Sequence, residues 1–552
     1  MRVARFVATV GVVLLAGATV TAGWPGRPAP RTPASRPQPA VLIHPGIVHL
    51  DRALSGPPST AFCEQHFQLA CYTARQIESA FDLGPLYGKG ITGRGETIVI
   101  VDSYGSPTVA HDLAVFDRVA GLPPPPSLKI IQPSGKVAPY KENDNREGWA
   151  GETDLDVEYA HAIAPGAGIL LVETPTSENE GSTGFPAIVN AETYVIDHHL
   201  GGVISQSFSA TEESFARPQR LLRLRSAYKL AFRNDVTVLA ASGDSGAADV
   251  GYNGHTYFLY PVTSWPDSDP LVTGVGGAQL HLNAAGHDVS APTVWNDSYN
   301  KPTLAYITGS RADSPLASGG GLSAVFSRPW YQDDVTSVVG GRRGVPDISM
   351  SGACNGGADM YQSFAGQPAG WYPTCGTSEA TPEFAGIVAL TDQVAGRALG
   401  LINPYLYAMS QFGAPGLVDI ASGNNTVTFR QGGKWHTVAG FDAGSGYDLA
   451  SGVGTVNGSL FVPELACLAA RWPGALSAPP SAAVQAAAAT PGPAAPQGYA
   501  APGWPAAARL LTGPRSPGGA QAGPGAQLAE ARAARYCFSG SWPRHARPAG
   551  PR

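Results

Sequence analysis

Five short apolar runs rich in β-branched residues recur through the middle of the chain, at 97–101, 169–172, 203–204, 236–240 and 271–275. Runs this short without polar alternation suit strands buried on both faces. Between them, 187–198 and 221–233 carry helical patterns. Strands that alternate with helices return in the same direction, and each crossover helix lies on a sheet face. The expected fold is α/β: a mainly parallel β-sheet covered by helices on both faces, with no internal repeat.

The two ends of the chain differ from this body. Arg2 and Arg5 precede an apolar run over 6–18, and Val20-Thr21-Ala22 gives the small-x-small pattern of a signal-peptidase site. The run is too short for a membrane anchor. A signal peptide over 1–22 and a secreted, extracellular product without a membrane span are therefore expected. A Pro-rich leader follows over 23–60, and from 468 to 552 the chain is dominated by Ala, Pro and Gly, a composition that cannot bury enough apolar surface to offset its ordering entropy. The expected folded body is 61–467.

Six cysteines in an exported chain favour disulfides, and the absence of any CxxC argues against zinc. Sequence neighbourhood suggests Cys63 with Cys71 and Cys354 with Cys375, leaving Cys467 for Cys537, out of about fifteen possible pairings. The formal charge of −6 is uneven: the tail over 468–552 has eight Arg and one Glu, and the body carries 28 basic against 41 acidic residues. An acidic body argues against nucleic acid as a partner.

Three segments carry chemistry. In Cys375-Gly376-Thr377-Ser378-Glu379-Ala380-Thr381-Pro382, Thr381 is expected as N-cap and Pro382 as the first helical residue of the apolar stretch that follows. Ser378 would then sit on a turn beside unpaired N–H groups able to hold an oxyanion. No histidine occurs in a His-Gly-Thr setting; His111, His161, His198, His199, His255 and His281 read as surface or packing residues. Instead, Glu152 and Asp156 fall at i and i+4 in a segment where Leu155, Tyr159, Ala162 and Ile163 form an apolar stripe. Neighbouring carboxyls in a cleft share a proton, so one can act as base while the other orients it, although an acidic helix start is an equally ordinary reading of that segment. Third, Ser242-Gly243-Asp244-Ser245-Gly246 runs off a buried strand into a Gly-rich turn. An Asp there commonly only shapes the turn, but a protonated one can donate to an oxyanion.

Together with Ile100-Val101-Asp102-Ser103-Tyr104, Val275-Gly276-Gly277, Ser318-Gly319-Gly320-Gly321 and Pro346-Asp347-Ile348-Ser349, these segments resemble the sedolisin (serine-carboxyl peptidase) family over about 74–461. The resemblance implies a subtilisin-like fold and a serine-type endopeptidase acting on polypeptides. It makes Ser378 the nucleophile, Glu152 the general base, Asp156 its support and Asp244 the oxyanion donor; Asp102 is left out of the site. It also implies one structural Ca2+ held by the carboxylates of Asp419 and Asp448 and by backbone oxygens at Ile420, Gly444 and Gly446, a hard oxygen set that suits calcium.

Two departures accompany the resemblance. Only about fifty residues separate Ala22 from its start, so the usual large prodomain is not expected. Cys375 and Glu379 flank the nucleophile where small residues are common in the family. The expected molecule is a monomer active in acid. Its alternatives are an inactive binding protein on the same fold and a tripeptidyl-peptidase.

Overall fold

The computed structural model describes residues 46–47, 53–177, 184–251, 256–299, 314–471 and 537. These all fall in the larger of two units, 38–552. The expected signal peptide, most of the leader and almost all of the tail lie outside the described residues.

The central sheet is built from β1 (Thr97–Ser103), β2 (Leu128–Ile131), β3 (Gly168–Thr174), β4 (Val203–Gln206), β5 (Thr237–Ala241), β6 (Thr273–Gln279), β7 (Thr293–Val294) and β8 (Ile348–Ser351). Its order is β7-β6-β5-β4-β1-β3-β2, with β8 also on β6. Every pairing is parallel except β6 with β7. The five expected strands are β1, β3, β4, β5 and β6, each displaced or lengthened by a few residues.

Alternation along β1 shows why both faces are covered. Ile98 and Ile100 enter one core with Leu155, Tyr159 and Phe384, and Val99 and Val101 enter another with Val189, Val195 and Tyr228. A period of two sends successive side chains to opposite faces, so a run apolar throughout must be buried twice. Against the first face lie α1 (Val109–Ala120), α2 (Asp144–Ile163) and α6 (Thr377–Ala395); against the second lie α3 (Phe185–Asp197), α4 (Pro218–Leu224) and α5 (Ser226–Arg233).

Three sequence expectations change. The single helix over 221–233 is two, broken at Arg225, whose side chain turns inward to a two-pronged pair with Asp269 at 2.5 and 2.9 Å. The helix bearing Glu152 begins at Asp144, capped by Asn143 accepting from the Arg146 amide at 3.1 Å, so Glu152 lies mid-helix and not at an acidic helix start. That helix is buried all round from Trp149 to Ile163, not along one stripe. Third, α6 begins at Thr377 with Gly376 as cap, so Thr381 and Pro382 lie inside it.

The pairs Cys63–Cys71, Cys354–Cys375 and Cys467–Cys537 are all bonded. The last of these joins residue 537 to α7 (Gly458–Arg471). No helix among the described residues is long and apolar enough to cross a membrane.

Candidate active site

The chemistry-bearing residues converge at the C-terminal ends of β1, β4 and β5, where parallel sheets present functional groups, and at the start of α6. β1 carries Asp102 as its penultimate residue, β4 leads into Ser207, β5 leads into Ser242-Gly243-Asp244, and α2 lays Glu152 and Asp156 across the same end. Close approach of α2 and α6 depends on Gly386: a Cβ there would lie 2.6 Å from Ile163 Cβ.

Ser378 is the second residue of α6 and fully buried. Its N–H is among the first four of a helix, which have no intrahelical partner. Glu152 is also fully buried, and neither of its carboxylate oxygens nor Ser378 Oγ has a hydrogen-bond partner among the described residues. Burial pushes the Glu152 carboxyl well up, Asp156 and Asp102 add to the push, and the neighbouring Ser378 hydroxyl draws it back. Asp156 accepts from Ser207 Oγ at 2.8 Å on Oδ1, while Oδ2 is unpaired. Its carboxyl is likewise raised by burial and then by Asp102, and lowered by Ser207.

Asp244 is held by the residue before Ser378. The Thr377 amide and hydroxyl both donate to Oδ1 at 2.8 Å, and the Gly243 amide donates to Thr377 Oγ1 at 3.1 Å. Oδ2 faces Gly376, where a Cβ would stand 2.8 Å away; this close approach, with φ of 135°, requires glycine. Burial lifts the Asp244 carboxyl to about 6 against the pull of Thr377. In acid it therefore keeps a proton, and Oδ2 is the oxygen left to carry it.

Asp102, set aside in the sequence, joins this cluster. Both its oxygens are buried, burial lifts it to about 7, and its charge acts on Glu152 and Asp156. Thr377 and Ser207 were also missed as partners of site carboxyls; only the fold brings them there. Glu379 and Glu383 follow Ser378 in α6 and are fully buried, with Glu379 lifted to about 8 by burial.

The expected calcium ligands gather separately. The Gly446 amide donates to Asp419 Oδ2 at 3.1 Å, the Gly444 amide to Asp448 Oδ2 at 3.0 Å, and Ser451 Oγ bridges Asp448 and the Ile420 carbonyl. A Cβ on Gly444 or Gly446 would meet open space. The described residues contain no group of three or more His, Cys, Asp or Glu suited to a metal. What the structure brings together is the carboxylates of Asp419 and Asp448, the Gly444 and Gly446 amides and the Ile420 carbonyl; the oxygen donors among these are of the kind that suits a hard cation.

Comparison with known proteins bears on this arrangement. No family model matches. Kumamolisin of Bacillus sp. (strain MN-32) is 30% identical over 393 residues, covering 70% of this chain and 62% of that protein. Sedolisin of Pseudomonas sp. (strain 101) is 29% identical over 368 residues, 66% of this chain and 57% of that protein. The solved structure of Pseudomonas sedolisin, a serine-carboxyl proteinase complexed with two molecules of pseudo-iodotyrostatin, superposes with a TM-score of 0.59 at 26% identity over 71% of this chain and 97% of that one. By these matches the chain is similar to the sedolisin family. The fold is accordingly the subtilisin-like α/β fold expected from the motifs. Tripeptidyl-peptidase 1 of Homo sapiens is 29% identical over 322 residues, 55% of this chain and 50% of that protein. The chain thus spans about three-fifths or less of these curated sedolisin relatives.

Proposed function

We propose that the chain is a secreted, acid-active serine-carboxyl endopeptidase. The observation that carries this reading is the unpaired Ser378 hydroxyl beside the unpaired Glu152 carboxyl at the start of α6, with Asp244 at the same helix end. Unpaired buried polar groups cost stability, so a pair of them facing one another points to chemistry.

In the proposed reaction, ionised Glu152 takes the Ser378 Oγ proton as Oγ bonds to the scissile carbonyl carbon. The oxyanion receives hydrogen bonds from the Ser378 N–H and from protonated Asp244 Oδ2. Glu152 then gives its proton to the leaving amine, and water hydrolyses the acyl-enzyme by the reverse sequence. Asp156 and Asp102 modulate Glu152 through their charge, so the carboxyls titrate as a group and the acid limb belongs to their first ionisation. Burial raises the group, which moves the working window up from the ordinary carboxylate value of about 4. The alkaline edge is set where Asp244 loses its proton, at about 6. Bound calcium would tie Asp419 to the 444–448 loop through the residues named above and takes no part in bond cleavage.

The test is a digest of denatured protein between about pH 4 and pH 6, with products mapped by mass spectrometry. Internal cleavage by the parent and none by Ser378→Ala supports the proposal. Release of tripeptides alone would favour the tripeptidyl-peptidase reading, which the similarity to tripeptidyl-peptidase 1 keeps in view. No cleavage with intact folding would favour the binding protein.

A further inference from the structure

Inside α6, Pro382 removes one helix hydrogen bond. Proline has no N–H, so the carbonyl four residues earlier, that of Ser378, loses its i+4 donor. That carbonyl belongs to the nucleophile and is buried. Ser207 Oγ stands 3.4 Å from it and 2.8 Å from Asp156 Oδ1. A hydroxyl has one proton and cannot donate to both.

We propose that Ser207 is a positioning residue that couples the protonation state of Asp156 to the backbone of the nucleophile. When Asp156 is ionised, the Ser207 hydroxyl donates to Oδ1 and the Ser378 carbonyl is left without that donor. When Asp156 is protonated, its O–H donates to Ser207 Oγ, and the freed hydroxyl proton turns to the Ser378 carbonyl. The nucleophile's turn is then clamped in one state of the base system and loosened in the other. Ser207 is fully buried, away from bulk solvent.

The groups facing Asp156 are Glu152 on its own helix, Asp102 from β1 and Ser207 after β4, with Asp244 acting on it through Glu152. None is a cation. Nothing but the Ser207 hydroxyl offsets the upward push on Asp156 from burial and from Asp102. Switching the hydroxyl toward the carbonyl therefore also favours a protonated Asp156, so the two arrangements are mutually reinforcing.

The inference rests on the peptidase reading for its consequence in catalysis, but its test has an arm that does not. In the active enzyme, Ser207→Ala is expected to lower kcat about five- to tenfold, the scale of one hydrogen bond, with KM little changed. The acid limb should move to higher pH, because the hydroxyl that favours ionised Asp156 is gone. Pro382→Ala returns an N–H to the helix opposite the Ser378 carbonyl. In that background Ser207→Ala should cost markedly less in kcat. Equal cost in both backgrounds would overturn the coupling.

The second arm follows the carboxyl C=O stretch by infrared difference spectroscopy during a pH titration, with Asp156→Asn identifying the Asp156 band. Ser207→Ala should shift that titration upward whether or not the protein cleaves peptides, and an unshifted band would overturn the inference. An inactive parent with a shifted band sinks the peptidase reading alone. Where Ser207→Ala does not fold, Pro382→Ala decides: with the carbonyl satisfied inside the helix, the hydroxyl serves Asp156 alone and its titration should move down. No movement refutes the proposal.

Discussion

At Glu152 and Asp244, environment does what a residue's ordinary pKa cannot. Glu152 is a buried carboxyl with two unpaired oxygens, a costly feature that Gln would relieve in part by removing the charge. Glu152→Gln is expected to abolish turnover and at the same time raise the free energy of unfolding at neutral pH, read from denaturant unfolding, by about 1 kcal/mol. A loss of both activity and stability would assign Glu152 a structural role instead. Asp244 allows a sharper test. Because Thr377 sends two donors to Oδ1, an amide in its place should turn its oxygen to Thr377 and its NH2 to the position of Oδ2. Asp244→Asn therefore keeps an oxyanion donor that does not titrate. The alkaline limb near about 6 should disappear from its kcat profile, while Asp244→Ala should cost about 10² to 10³ below that edge and progressively less above it, where the parent has lost the donor proton. An alkaline limb unchanged in Asp244→Asn would remove Asp244 from that role.

At the scale of elements, the sequence spoke clearly where local pattern and tertiary demand agree. The apolar runs of β1 and β3 lie between two helix layers, so their lack of alternation reads directly as double burial. It misled at α6, where Thr381 and Pro382 look like a helix start. The true start is set by Gly376, whose backbone conformation and contact with Asp244 are long-range facts. Likewise, spacing puts Glu152 and Asp156 on one helix face, but only strand order brings Asp102 and Ser207 to them from β1 and β4. The candidate calcium ligands stood out as two Asp on Gly-rich segments, although no spacing reveals that Asp419 and Asp448 share a network through the 444–451 backbone. An ion bound there only in the folded state raises stability by mass action. Chelator should therefore lower the melting temperature of metal-loaded protein, and Asp448→Asn should erase that difference. Identical melts with and without chelator would remove the ion from this loop.

At the scale of the whole fold, buried carboxyls among the described residues far outnumber the buried cations able to pair with them. Glu78, Asp102 and Asp117 are lifted to about 7, and Glu192, Glu213 and Glu379 to about 8, with burial the first cause in each. Among the described residues, the only buried Arg–carboxylate pairs are Arg225–Asp269 and Arg343–Asp347. In the unfolded chain these six acids would titrate near about 4. Between that value and the raised one, the native state holds a proton that the unfolded state has lost, so proton binding favours folding and stability falls as pH rises. The contribution is complete below about 4 and is lost as pH passes through about 7 to 8, and each such group costs about 1.4 kcal/mol per pH unit crossed. Melting temperature, measured on Ser378→Ala to exclude self-digestion, should accordingly be highest in acid and drop steeply toward neutrality. Glu192 makes the control: it sits in α3 away from the cluster around Ser378, and its two oxygens are buried without partners. Glu192→Gln should flatten the slope between about pH 5 and pH 8 by roughly one group's share. A melting temperature flat across that range would mean that these carboxyls are paired or hydrated in solution.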